Sequence, residues 1–238
     1  MGQAKLKRMA HEAKLRPGPS PPLRMLRLPI DERGFIVPFF VQWFDDAKRA
    51  TPAETGTPDF RIVNANVIHR VLREQRCWIC GDVFHRHELP TSVVGPMCTV
   101  NRISSEPPSH RECARYAAQV CPFLTKPRMR RNPKEMPEGR VVPGIAIERN
   151  PGVVAVWTSR QVRCDPATSL FHIGDPVSVE WWAEGREATR EEVLASFTSG
   201  VALLRDVCNQ EPTHERRTEA HELLEDQLAQ ASLWLPAA

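Results

Sequence analysis

The chain has 238 residues, 41% of them hydrophobic and 26% charged, with a formal net charge of +3. This apolar content builds one substantial core, or a core plus a small satellite around a metal site. No run of about 18 uninterrupted apolar residues is present, so no membrane span is expected, and the basic start MGQAKLKRMAHEAKLR lacks the apolar stretch of a secretory signal. The expected location is the cytoplasm. Seven cysteines are an odd number and two form a CxxC, so in a reducing compartment metal ligation is preferred to a disulfide framework. Charge is unevenly spread: residues 175–238 carry 5 basic and 13 acidic side chains, a net −8, against +11 for residues 1–174. The split points either to a basic face for an anionic partner or to two ordinary solvated surfaces.

In chain order, residues 1–28 read as a basic flexible arm, because Pro17-Gly18-Pro19-Ser20-Pro21-Pro22 has no apolar periodicity. LPIDERGFIVPFFVQWF then places Asp31 to Gly34 as a turn between short extended runs, and Phe39, Phe40, Trp43 and Phe44 as core anchors. Residues 45–58 read as a loop. Residues 64–76 have Val67, Val71 and Leu72 at helical spacing, with Arg70, Arg73 and Arg76 among the other positions. The zinc segment closes the region 29–125. A basic linker, 126–140, carries Arg128, Arg130 and Arg131 among three prolines.

Residues 141–238 read as a C-terminal α+β region. Two or three strands are expected around the Asn150-Pro151-Gly152 turn and a further one in SLFHIGDPVSVEWW, with one of Trp181 and Trp182 in the core and the other exposed. Thr189 and Glu192 form a capping-box pattern for a helix ending near Ser199, where Gly200 is placed to stop it, and a second helix covers 201–207. The last helix starts near Thr213, with Leu224, Leu228, Ala231 and Leu235 as a stripe that packs on the body or on a second copy. No internal repeat is visible.

The most specific pattern is Cys77-x2-Cys80 and, after 29 intervening residues, His110-x2-Cys113. A two-residue spacer turns both side chains of each pair toward one metal, and zinc takes four tetrahedral nitrogen and sulfur ligands. Gly81 can supply the positive φ of a knuckle, and Ser109 can cap a helix whose first turn carries the second pair. A knuckle pair, a hairpin-sized segment and a ligand pair on a helix describe a treble clef with one structural Zn2+ per chain. The competing readings are chance spacing and CxxC redox chemistry. Cys98, Cys121, Cys164 and Cys208 read as buried small hydrophobes. The predicted fold class is α+β: a treble-clef-like zinc unit joined to a small, mainly antiparallel sheet with C-terminal helices.

The run GPMCTVNRISSEPPSHRECARYAAQVCPFL, with CWICG upstream, LPIDERGF near the start, and NPGVVAVW and EGREATREEVLAS downstream, resembles a group of uncharacterised bacterial and phage-associated proteins with a treble-clef zinc site. The resemblance implies the zinc site and no reaction.

Three functions remain open on the sequence. The first is nucleic-acid binding, by phosphate contacts from Arg70, Arg73, Arg128, Arg130 and Arg131. The second is binding of a protein partner, or self-association, through the C-terminal helix. The third is an HNH-like endonuclease, a family whose order of histidine, asparagine and second zinc pair is weakly similar to His87, Asn101 and His110-x2-Cys113. That chemistry needs a water-activating histidine and a second, catalytic cation. Arg86 stands where an acidic metal ligand is often found, and Pro107 and Pro108 interrupt the expected strand-to-helix passage. Non-catalytic binding is therefore placed ahead of cleavage. His69, His172, His214 and His221 read as surface or locally bonded residues.

Overall fold

The computed structural model describes residues 12–126 and 152–237. Its described residues have an α+β fold with small antiparallel sheets, divided into two compact units. Among the described residues, one unit comprises 12–88 and 107–116; the other comprises 89–106, 117–126 and 152–237. The units do not follow one another along the chain, because the segment between the two ligand pairs folds with the downstream residues.

In the first unit, strand β1 (Val41–Phe44) lies between β2 (Ala50–Thr51) and β3 (Thr57–Val63), both antiparallel to it. Two of these strands fall in or just after the segment read as a loop. Val41 and Trp43 are buried with Val37, and Phe40 and Phe60 pack against them. The turn at 31–34 forms as expected: the Asp31 carboxylate accepts from the Arg33 and Phe35 amides at 3.1 and 2.8 Å, and Ile30 bridges Ile36. Leu23–Met25 is a 3-10 turn with Met25 and Leu28 buried, so the segment read as an arm is packed from there on. Helix α1 (Ala65–Glu74) is capped by Asn64, whose side chain accepts from the Asn66 amide, and it ends at Gln75 in the left-handed region.

The second unit is built on a four-stranded antiparallel sheet in the order β10-β9-β6-β4. These strands are Arg186–Glu187, Pro176–Ala183, Val154–Ser159 and Thr91–Val94. A smaller sheet has the order β5-β8-β7, from Ile103–Ser104, Leu170–His172 and Arg163–Asp165. Helix α2 (Pro96–Asn101) joins β4 to β5, so the segment between the two Cys/His pairs is not a hairpin: its two strands pair with β6 and β8 instead of with each other. Helix α3 (Arg111–Val120) is followed by the short α4 (Pro122–Thr125).

Helix α5 (Arg190–Asn209) is one element where two were expected. Its start is the predicted capping box: the Thr189 side chain accepts from the Glu192 amide, and the Glu192 side chain accepts from the Thr189 amide. Gly200 does not stop the helix. A Cβ there would lie 2.7 Å from Met97 Sδ, so the glycine serves close packing against α2. Helix α6 (His214–Ser232) starts after Thr213 as expected, and its stripe packs on this unit: Leu224 and Ala231 are buried in the core, with Leu228 and Leu235 against it. The same core holds Val94, Val100, Trp157, Ile173, Val193 and Phe197. Trp181 and Trp182 are both buried, against the expected division, and the Trp181 indole donates to the Trp234 carbonyl at 2.7 Å. Cys208 is buried, and Cys98, Cys121 and Cys164 are half-buried. The linker 126–140 beyond Lys126, with Arg128, Arg130 and Arg131, lies outside the described residues, as do 1–11 and 141–151.

Candidate metal centre

The first ligand pair sits on a knuckle whose flanks are tied by backbone bonds. Arg76 bridges Val83, the Cys77 amide donates to the Asp82 carbonyl at 2.7 Å, and the Gly81 amide donates to the Cys77 carbonyl at 2.9 Å. Gly81 has φ +75° and lies so close to Phe39 that a Cβ would meet the ring at 2.6 Å. The second pair arrives on α3. That helix begins at Arg111, one residue later than the sequence suggests, so His110 precedes it and its carbonyl accepts from the Ala114 amide at 2.9 Å. The Trp78 amide donates to the Pro108 carbonyl at 3.1 Å, which fixes the knuckle against the approach to the helix.

Cys77, Cys80, His110 and Cys113 come together, with one potential ligand atom from each and all four within 4.8 Å of one another. All are buried, at 0, 1, 2 and 0% exposure. His110 Nδ1 lies 3.4 Å from Cys80 Sγ, so this nitrogen faces the sulfurs. In a tetrahedral site with Zn–S of about 2.3 Å and Zn–N of about 2.0–2.1 Å, ligand atoms lie roughly 3.5–3.8 Å apart, close to this spacing. Backbone amides also point at the sulfurs: Cys80 and His110 donate to Cys77 Sγ at 3.4 and 3.3 Å, and Asp82 donates to Cys80 Sγ at 3.5 Å. Such donors stabilise thiolates.

The electrostatics of the bare cluster favour a cation. Burial pushes the Cys77 thiol up, but hydrogen bonds from Cys113, Cys80 and His110 outweigh it and hold the thiol well below its ordinary value. Cys80 is pushed up to about 12: its bond with Cys113 lowers it, while Cys77 and burial raise it further. Cys113 is raised by its bonds to Cys77 and Cys80 and by burial. As thiolates, three sulfurs this close repel one another, and a divalent cation among them offsets that repulsion. The donor set therefore fits a metal ion, and its four candidate ligand atoms match the number a tetrahedral site takes.

A second layer surrounds His110. Its Nε2 lies 2.8 Å from Arg24 Nη1 and 3.2 Å from Glu88 Oε2. Arg24 also donates to Glu88 Oε1 at 2.8 Å and pairs with Glu112 at 2.5 Å, while Arg27 pairs with Asp82. Burial raises the Glu88 carboxyl, but the His85 amide, His110 and Arg24 outweigh it and hold the group below its usual range. Neither Arg24 nor Glu88 stands at a motif spacing from the ligands, so no periodicity in the sequence marks them.

The other candidate residues are placed differently. Arg70, Arg73 and Arg76 all pair with Glu74, at 3.3, 3.0 and 2.6 Å. The three arginines, led by Arg76, take that carboxyl down to about 2. His87 is exposed, its ring stacked on His85 at 6.1 Å between centroids. Asn101 belongs to the other unit, where its side chain accepts from the Ile103 amide at 3.1 Å. Among the described residues, the Cys77–Cys80–His110–Cys113 group is the only cluster of three or more His, Cys, Asp or Glu side chains arranged to hold a metal. No helix among the described residues is long and apolar enough to cross a membrane. Comparison of the chain with protein-family models, curated proteins and solved structures gave no match.

Proposed function

We propose that this is a zinc-stabilised binding protein whose metal is structural and whose partner is engaged by side chains outside the metal centre. The observation that carries the reading is the buried Cys3His cluster, with four donor atoms within 4.8 Å. Soft thiolates with one imidazole in tetrahedral array suit Zn2+, and four protein ligands leave no open position for water or substrate. A structural ion of this kind contributes directly to folding. The nuclease alternative gains no support from the placement of its residues: Asn101 accepts from the Ile103 amide in the other unit, and His87 is exposed with its ring on His85.

Two partner classes each have an observation behind them. Arg70 and Arg73 on α1, and Arg76 just after it, share the single carboxylate Glu74, which leaves a net charge of +2 on that group for an anionic partner such as nucleic acid. Leu194, Phe197 and Val201 on α5, Leu228 on α6 and Leu235 just after it line an open, mainly apolar groove rimmed by Thr198, Arg205 and Ser232, which suits a protein partner.

The deciding measurements are metal analysis and salt-dependent binding on the full chain. Purified protein should hold about one zinc, and Cys80→Ser or Cys113→Ser should lower both zinc content and Tm. Protein without bound metal, or both variants with unchanged zinc and Tm, would refute the reading. Affinity for mixed-sequence nucleic acid that falls steeply with salt and weakens in Arg70→Ala/Arg73→Ala assigns the anionic partner; no binding at low salt removes it and moves the protein partner ahead.

A further inference from the structure

We propose that Glu88 is a positioning residue for the metal centre, holding the Nε2 edge of His110 so that Nδ1 is the nitrogen presented to the three sulfurs. The inference rests on the zinc reading above. Nδ1 faces Cys80 Sγ at 3.4 Å, and the opposite edge of the ring meets two groups, Glu88 Oε2 at 3.2 Å and Arg24 Nη1 at 2.8 Å. The two are not equivalent. A neutral imidazole that gives its Nδ1 lone pair to a cation carries its proton on Nε2, where it is a donor. A guanidinium nitrogen is also only a donor, so Arg24 and Nε2–H have no acceptor between them. Glu88 alone can complete that form of the ring.

The metal-free ring has a different solution. With the proton on Nδ1, that nitrogen can donate to Cys80 Sγ while the Nε2 lone pair accepts from Arg24. The same side chains thus serve both tautomers, and commitment of Nδ1 to a metal transfers the Nε2 partner from Arg24 to Glu88. Arg24 keeps its place afterwards through Glu88 Oε1 and Glu112. Glu88 is already oriented, because the His85 amide donates to its Oε2 at 2.7 Å. A carboxylate behind a metal-bound imidazole fixes the ring and raises its basicity, and its loss typically costs about 10- to 100-fold in metal affinity.

The test is zinc competition against a chromophoric chelator, with proton–nitrogen correlation of 15N-labelled histidine on the full zinc-loaded chain. The unsubstituted chain should show His110 bound through Nδ1, with a slowly exchanging Nε2–H. Glu88→Ala should weaken zinc binding about 10- to 100-fold, speed Nε2–H exchange and keep one zinc per chain at saturation. Glu88→Gln keeps an acceptor oxygen and should retain most of the affinity, and Arg24→Gln should lose less than Glu88→Ala. Wild-type affinity and exchange in Glu88→Ala would overturn the proposal. So would binding through Nε2, a larger loss in Arg24→Gln, or, should the alanine variant not fold, a Glu88→Gln chain whose Nε2–H exchanges as fast as an unprotected imidazole. An unsubstituted chain without zinc is a separate outcome: it removes the zinc reading itself, and the positioning role with it.

Discussion

Gly81→Ala tests the tightest point of the knuckle. The residue has φ +75°, and an added Cβ would lie 2.6 Å from Phe39 Cγ and 2.7 Å from Cδ2. Left-handed backbone costs a residue with a Cβ about 1–2 kcal/mol, and overpacking adds about 1–3 kcal/mol. The ring cannot withdraw freely, because the Phe39 amide donates to the Ile79 carbonyl at 2.8 Å and Arg70 lies over the ring at 5.6 Å. A total of about 2–5 kcal/mol, at about 4–8 °C per kcal/mol for a unit near 100 residues, gives a fall in Tm of at least about 8 °C under saturating zinc. The assay is thermal unfolding of wild type, Gly81→Ala, Phe39→Leu and the double variant. The two substitutions should couple by about 1 kcal/mol or more, since shortening Phe39 relieves the clash but not the backbone strain. A fall below about 2 °C, or additive effects, would refute the argument.

Zinc affinity should rise with pH: Cys80 and Cys113 are raised above their ordinary values in the bare cluster, so uptake releases their protons, and competition titrations at pH 6 and pH 8 would read the difference. Thr189→Ala should cost about 1 kcal/mol in urea unfolding by removing the cap of α5. Glu192 is held at about 2, chiefly by Arg186, so its contribution is complete above its unfolded value near 4.5 and is lost as pH falls toward 2; Glu192→Gln should flatten the acid limb of stability there. Gly200→Val should destabilise the downstream unit by about 1–3 kcal/mol, measured as a lower urea midpoint, because its side chain enters the space of Met97.

The metal ligands are legible because their chemistry is local: a two-residue spacer and a residue type suffice to bring each pair to one point. The same holds for the Thr189–Glu192 box and the turn at Asp31, where a side chain bonds backbone within four residues. Elements decided by distant partners are not legible. Thr57–Val63 carries a proline and an aspartate and has no clean alternation, and it is a strand because β1 offers it an edge. Gly200 signals a helix end by its propensity, and only the sulfur of Met97 shows why it stays inside α5. Glu88 and Arg24 are ordinary charged residues until His110 turns its Nε2 between them.

The placement of residues 89–106 sets how the chain can be divided. A fragment ending at residue 116 would carry all four residues of the Cys3His cluster, yet it would also carry β4 and β5 without β6 and β8, their hydrogen-bonding neighbours. Bare strand edges of that kind recruit other chains. A fragment beginning at residue 117 would lack one edge of each sheet in turn. No single cut therefore yields two sound pieces, and a portion that carries the Cys3His cluster for separate study needs residues 89–106 replaced by a short polar bridge.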